Sequence, residues 1–329
     1  MLLVALLLSL CLLAPLAANA ALNSLSFKPP PPRPAGGAPG MVSVLVTARN
    51  EADRIGPLLE SYAALTDSVA HELVVYDDDS EDGTGELVAA HAARDPRIRL
   101  MRGQGPPPGW NGKCHGLHRL YEQARGDYLL FLDADVALED GALDRAVAAV
   151  EAEGYDVLSL YPKQIMRTPA ERMFVPVMVY YFFLLGPQWM HRAGWRVPVC
   201  PLNGQFMLWR RASYEAIGGY AAIHDAWLDD MAMGRRVAER GLSACYRPGV
   251  GVARCRMYTG FPSAWNGFVK HTWDCLGLPV GPYMALHGVF ALTMVGVWLA
   301  PLVALVRPLT SLEWAAFAGV AALTATTRV

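Results

Sequence analysis

Between Val42 and Asp135 four short, nearly uninterrupted apolar runs alternate with amphipathic stretches, and no other feature narrows the possible folds so far. The runs are Val42–Thr47, Glu72–Tyr76, Arg97–Met101 and Asp127–Asp135. Between them lie Glu51–Leu65, a segment capped by Asp82 and reaching about Ala93, and roughly Lys113–Arg125, all with the spacing of helices. Asn50 is the expected cap of the first of these. Strands apolar on both faces need cover on both, which predicts an α/β fold with a mostly parallel sheet and helices on either side. In such sheets ligands bind beyond the carboxyl ends of the strands. Asp77-Asp78 and the Asp133-Asp135 pair fall at that edge.

The chemistry of these residues points to a charged ligand. Strand alternation would turn Asp133 and Asp135 the same way, so that both carboxylates meet one hard cation with oxygen ligands. In YDDDSEDGT (76–84) three adjacent carboxylates repel one another, so a partner is expected beyond the needs of a turn; Ser80 and Asp82 are the ones assigned to the turn and the next helix. A carboxylate there can accept from a uracil ring N–H or from ribose hydroxyls. Asp229-Asp230 opens the apparent helix Asp229–Gly241, where acids are favoured by the macrodipole at about 0.3–1 kcal/mol. From the residues alone that pair is open to either reading.

Composition bears on the two ends of the chain. Of its 329 residues 18% are charged, below the usual ~25%, and mean hydropathy is +0.23. Met1 to Leu22 is long enough for a bilayer core of about 30 Å. Ala18-Asn19-Ala20 resembles a signal-peptide cleavage site, but the first basic residue is Lys28, so an anchor is the expectation. The basic residues downstream place the main domain in the cytoplasm, on an integral protein of the cell membrane. Met284–Val306 reads as a second span of about 34 Å and Leu309–Thr326 as a weaker third. Residues 173–189, with Pro176 and Pro187, fit either a buried helix or one lying in the membrane interface. The expected division is an anchor over 1–22, a Pro/Gly-rich linker over 23–40, the main domain over 41–279 and a C-terminal membrane region over 280–329. A net charge of −2 gives no basis for nucleic-acid binding, and six scattered cysteines argue against zinc or a disulfide framework.

Taken in order, these segments resemble the inverting glycosyltransferases of family 2, which have the GT-A fold. VSVLVTARNEADRIGPLLES is similar to that family's opening strand and N-E pair, and VVYDDDSEDGT to its nucleotide-binding turn, with Asp79 where glycine is usual. FLDAD corresponds to its metal-binding D-x-D, and LDDMAMGRR to its E-D-x-x-L-x-x-R helix, with Asp229 where Glu is usual. The likeness runs from about Val42 to Trp273. PPPGWNGKCHGL, NGQFMLWRRASYEAIGGY and RMYTGFPSAWNGFVKHTW resemble membrane-associated members linked to hopanoid and carotenoid biosynthesis.

The resemblance implies metal-dependent sugar transfer, with inversion, from a nucleotide-sugar donor, expected to carry UDP, to a lipid-like acceptor at a membrane. It implies Asp78 at the base, Asp77 and Glu51 near the nucleoside, and Asp135 as the main ligand of Mn²⁺ or Mg²⁺, with Asp133 on the ribose or the metal. Asp230 becomes the general base beside Asp229, and Lys113 and Arg256 face the diphosphate. The alternatives are a polyprenyl-phosphate sugar transferase, whose ionised acceptor needs no base, a processive synthase, whose Q-x-x-R-W string is absent, and a non-catalytic scaffold. Gly112-Lys113 is no P-loop, since Pro107 stands where glycine is required. His115 and His118 beside Cys114 lack a fourth zinc ligand.

Overall fold

Met41–Ala48 (β1) is an internal strand of a seven-stranded sheet, with Val42 to Val46 buried. The computed structural model describes residues 2–32, 39–176, 202–267 and 308–326, together with 189, 200, 281 and 284. Two units are distinguished, one of Phe27–Arg167 with Met190–Thr259, the other of Met1–Ser26, Thr168–Trp189 and Gly260–Val329.

The first unit holds the sheet. After β1 come Ala52–Ala63 (α2, the helix Leu2–Ser26 being α1), Ala70–Asp77 (β2), Thr84–Ala92 (α3), Ile98–Arg102 (β3), Gly112–Gln123 (α4) and Tyr128–Leu132 (β4). Then follow Val136–Leu138 (β5), Ala142–Glu153 (α5), Val157–Tyr161 (β6), Lys163–Gln164 (β7), Phe206–Arg210 (β8) and Arg211–Ala216 (α6). A 3₁₀ turn at Tyr220–Ile223 leads to Asp229–Arg240 (α7), Ala244–Pro248 (β9) and Ala253–Cys255 (β10). The large sheet has the order β3-β2-β1-β4-β8-β6-β9. Its first four strands are parallel, β8 is antiparallel to both neighbours, and β6 pairs parallel with β9. A small sheet, β5-β10-β7, stands beside it.

Alternation along β1 explains the two-sided cover. Val42, Val44 and Val46 pack on one face with Ile55, Leu58, Leu59 and Tyr62 of α2. Leu45 faces the other side, with Leu117 and Leu120 of α4 and Trp209 of β8. Each such side chain contributes about 1.5–3 kcal/mol on burial, so a one-residue slip of β1 would empty both cores. The expected mixed α/β fold with a mostly parallel sheet is what the chain adopts.

Local details depart from expectation. The run through Asp135 stops being a strand at Leu132, and Asp133-Ala134-Asp135 is a turn into β5. Strand alternation therefore does not aim those carboxylates. Asn50 does not cap α2: its side chain accepts the Glu81 N–H, and Asp82 Oδ2 takes the first helical N–H, from Ala52. Asp82 Oδ1 also accepts from Thr84, so one carboxylate serves the starts of α2 and α3.

The expected transmembrane helices require correction. Among the described residues no helix is long and apolar enough to cross a membrane. Helix α1 contains Pro15, and its second half commits Asn19 and Asn23 to protein: Asn19 Oδ1 accepts from the Trp189 indole at 2.9 Å, and Asn23 Oδ1 from the Trp189 backbone at 3.1 Å. Ser311–Thr326 (α8) has 16 residues, about 24 Å, short of a ~30 Å hydrocarbon core. It packs on α1, with Gly319 close to Leu10. All but the first residue of the expected span Met284–Val306, and residues 177–188 of the expected interfacial helix 173–189, lie outside the described residues.

Candidate active site

The carboxyl ends of β1, β2 and β4 and the start of α7 supply the acidic groups. Behind β2, Asp77 is buried and serves its own turn: Oδ1 accepts the Ser80 N–H at 3.1 Å, and Oδ2 lies 3.6 Å from Arg102. Asp78 is also buried, and its Oδ1 accepts no hydrogen bond, while Oδ2 lies 3.6 Å from the exposed Arg49. Burial pushes the Asp78 carboxyl above its ordinary pKa; Arg49 and His115 oppose that shift, and Asp79 and Asp77 add to it. Asp79 has a φ of 57°, the left-handed region, which explains the glycine usual there. Aspartate is among the few side chains that tolerate it.

Asp133 and Asp135 face the same region through their turn. Burial, then Asp133, raise the Asp135 carboxyl to about 7; a hydrogen bond from Cys255 opposes the shift and Glu51 adds to it. Asp135 Oδ1 is buried without a hydrogen-bond partner. Glu51, at the start of α2, is raised by burial against the pull of Arg54, with Asp133 and Asp82 contributing. An unpaired buried carboxylate oxygen is costly unless a positive group completes it. Among the described residues no three His, Cys, Asp or Glu side chains form a metal cage. Two carboxylates with the remaining positions open to phosphate and water still suit Mg²⁺ or Mn²⁺, so the donor set fits such an ion.

Lys113 joins the two halves of the site. Asn111 caps α4 by accepting the Lys113 N–H at 2.9 Å, and its own N–H donates to His224 O at 2.7 Å. From that first turn Lys113 Nζ reaches Asp133 Oδ1 at 3.1 Å and Asp229 Oδ1 at 3.4 Å. Burial works against its charge, but Asp133, Asp229 and Asp230 outweigh it and hold the ammonium above the usual lysine range. Asp229 is buried and accepts from the Tyr220 hydroxyl at 3.2 Å. Asp230 accepts from Met231 N at 2.7 Å and Gly204 N at 3.4 Å. Burial, then Asp229, raise its carboxyl to about 6, with Lys113 opposing.

Glu51, Asp133, Asp135, Lys113, Asp229 and Asp230 thus come from segments far apart in the chain and act on one another through the interactions above, while Asp78 directly follows the neighbouring strand β2. Arg256 is half-buried just after β10. Sequence reasoning gave no role to Tyr220, Gly204, Gln205 or Cys255, although the strings holding the first three were part of the resemblance. The histidines beside Cys114 have other work: the His118 ring stacks on Trp110 at 5.3 Å.

A family model described as "Glycosyltransferase like family 2" matches residues 39–272. The chain belongs to that family. A relative, the 4,4'-diaponeurosporenoate glycosyltransferase of Staphylococcus haemolyticus, is 24% identical over 233 residues, 70% of this chain and 60% of the relative. Its Staphylococcus aureus counterpart is 26% identical over 241 residues, with the same shares. The chain therefore spans about 60% of the length of these relatives. A mannosyltransferase of Pyrobaculum calidifontis, solved with GDP-Man and Mn²⁺, shares the GT-A-like fold with a TM-score of 0.60 at 20% identity, over 99% of this chain and 86% of that one.

Proposed function

We propose that this family 2 protein transfers a sugar from a nucleotide-diphosphate sugar, with UDP as carrier, to a hydroxyl or carboxyl of a lipid-like acceptor, with inversion and with the help of a divalent cation. The observation that carries the reading is the Lys113 bridge, which puts the Asp133-Asp135 turn and the Asp229-Asp230 pair within reach of one ammonium group. Donor and acceptor chemistry then meet at one side chain.

The acceptor oxygen attacks the anomeric carbon while the bond to the nucleotide diphosphate breaks on the opposite side. Asp230 takes the proton from an acceptor hydroxyl; its carboxyl at about 6 is ionised at neutral pH yet basic enough to do so. Asp135, with Asp133, would hold Mn²⁺ or Mg²⁺, which when bound offsets the charge of the leaving diphosphate. The solved mannosyltransferase with GDP-Man and Mn²⁺ is consistent with that requirement. Lys113 lies beside the same carboxylates and serves the diphosphate as a second positive charge. Asp78, with an unpartnered oxygen, suits a ring N–H of the base.

The lipid-like acceptor draws support from the acceptor in the relatives' name, 4,4'-diaponeurosporenoate. Exposed Met173, Phe261, Trp265, Leu312 and Trp314, all in the second unit, also suit an apolar partner. The test is a screen of sugar nucleotides with purified protein and host lipid extract, reading products by mass spectrometry. A product heavier by one sugar supports the reading; none with any donor sinks it. A carboxylate or polyprenyl-phosphate acceptor is already ionised, so transfer that survives Asp230→Asn points to one of those instead.

A further inference from the structure

Asp135 is held by a buried network that the reaction above leaves unexplained. Cys255 ends β10, and strand pairing sets it opposite Val136, the residue after Asp135, on one side and Gln164 on the other. Its thiol is buried, donates to Asp135, and accepts from Gln205 Nε2 at 3.2 Å. Gln205 Oε1 accepts from Gln164 Nε2 at 3.0 Å and from Asn203 Nδ2 at 3.4 Å. Two donors on that oxygen fix the orientation of the Gln205 amide, so its nitrogen must face the sulfur. A sulfur that accepts there has its single proton left for Asp135. One neighbour along the chain, the Gly204 N–H donates to Asp230 Oδ2. The segment Asn203–Gln205 thus touches Asp230 directly and reaches Asp135 through Cys255.

We propose that Cys255 and Gln205 are positioning residues: they orient the Asp135 carboxylate so that its open oxygen meets the divalent cation, and the Gly204 N–H keeps Asp230 in register with it. This rests on the metal-dependent reading above. A thiol buried only for packing would be replaceable by an alkyl group of similar size with no effect on the cation. A thiol that orients a ligand would not, because outer partners of ligands typically carry 10–100-fold in metal affinity.

The experiment uses the full chain with Mn²⁺ and UDP as probes, following free Mn²⁺ by electron paramagnetic resonance. Cys255→Val removes the donor and suits a strand, Cys255→Ser keeps a donor, and Gln205→Met keeps length without the amide. The expected result is Mn²⁺ affinity roughly tenfold or more weaker in the valine and methionine variants, largely recovered with serine, while metal-free UDP binding stays constant. Wild-type affinity in both the valine and methionine variants overturns the positioning role and leaves the metal reading standing. A wild-type chain that binds no Mn²⁺ with UDP overturns both. Should the valine variant fail to fold, Gln205→Met carries the test, since it lies outside the β10 strand.

Discussion

At the scale of single residues, Asp230 is where function and stability pull apart. Its folded pKa of about 6 lies above the ordinary 3.8, so the folded chain binds the proton more tightly than the unfolded one. Its contribution to stability is therefore intact below about pH 4 and is lost as pH rises towards 6. Asp230→Asn is expected to melt higher at pH 7.5, by on the order of 1 kcal/mol, with the gain vanishing near pH 4; thermal denaturation at several pH values measures this. The same variant is expected to lose about 10²–10⁴-fold in turnover with a hydroxyl acceptor while still binding donor. The wild-type rate should fall as pH drops through about 6, and that limb should be missing from the residual rate of the variant. Wild-type turnover in the variant with a hydroxyl acceptor would remove Asp230 as base. Asp77, Asp78 and Asp230 were all visible in the sequence, but not that Asp77 serves a turn while Asp78 keeps an oxygen free. The two are adjacent and chemically identical, and only their surroundings separate them.

At the scale of elements, short connections set the site. Gly126 precedes β4, and a Cβ there would lie 2.5 Å from Ser43 N and 2.7 Å from Met41 O, both backbone atoms of β1. Neither can move without breaking the pairing of β1 with β4, so Gly126→Ala should cost at least about 1–3 kcal/mol. A melting temperature unchanged from wild type would show that the strand shifts freely. Asn111 caps α4 two residues before Lys113, so Asn111→Ala should cost about 1 kcal/mol and also weaken donor affinity, as the first turn that aims Nζ frays. Calorimetry with UDP separates the two effects. The helices and parallel strands of this half were legible because their apolar spacing is local. The antiparallel β8 was not, since nothing in FMLWR states which strand it will join or in which direction.

For the whole molecule, the proposed reaction would have two carboxylates and a substrate hold the cation, since among the described residues no three His, Cys, Asp or Glu side chains form a closed cage. Transfer is expected to stop in excess EDTA and return with Mn²⁺ or Mg²⁺, and full activity in the chelator would count against Asp135 as a ligand. Metal binding should also be tighter with UDP than without it, because the diphosphate supplies missing oxygens. The second unit shows how hydropathy misleads at this scale. An apolar run long enough to cross a bilayer is equally able to pack on another helix, as α1 does on α8, with its asparagines turned to Trp189.

The sequence by itself determined the mixed α/β architecture and the ends of strands at which the acids gather. Those follow from spacing and composition within short windows, where local sterics and burial decide. Only the tertiary structure decided that Lys113 closes on Asp133 and Asp229, that the D-x-D is a turn, and that Gln205 bonds Cys255. Lys113 and Asp229 are 116 residues apart in sequence and 3.4 Å apart in space. Contacts of that kind depend on how the sheet is ordered and which loops converge, and no local pattern encodes them. The three carboxylate groups could be read one by one; that two of them, at Asp133 and at Asp229-Asp230, share a single ammonium was the fold's contribution.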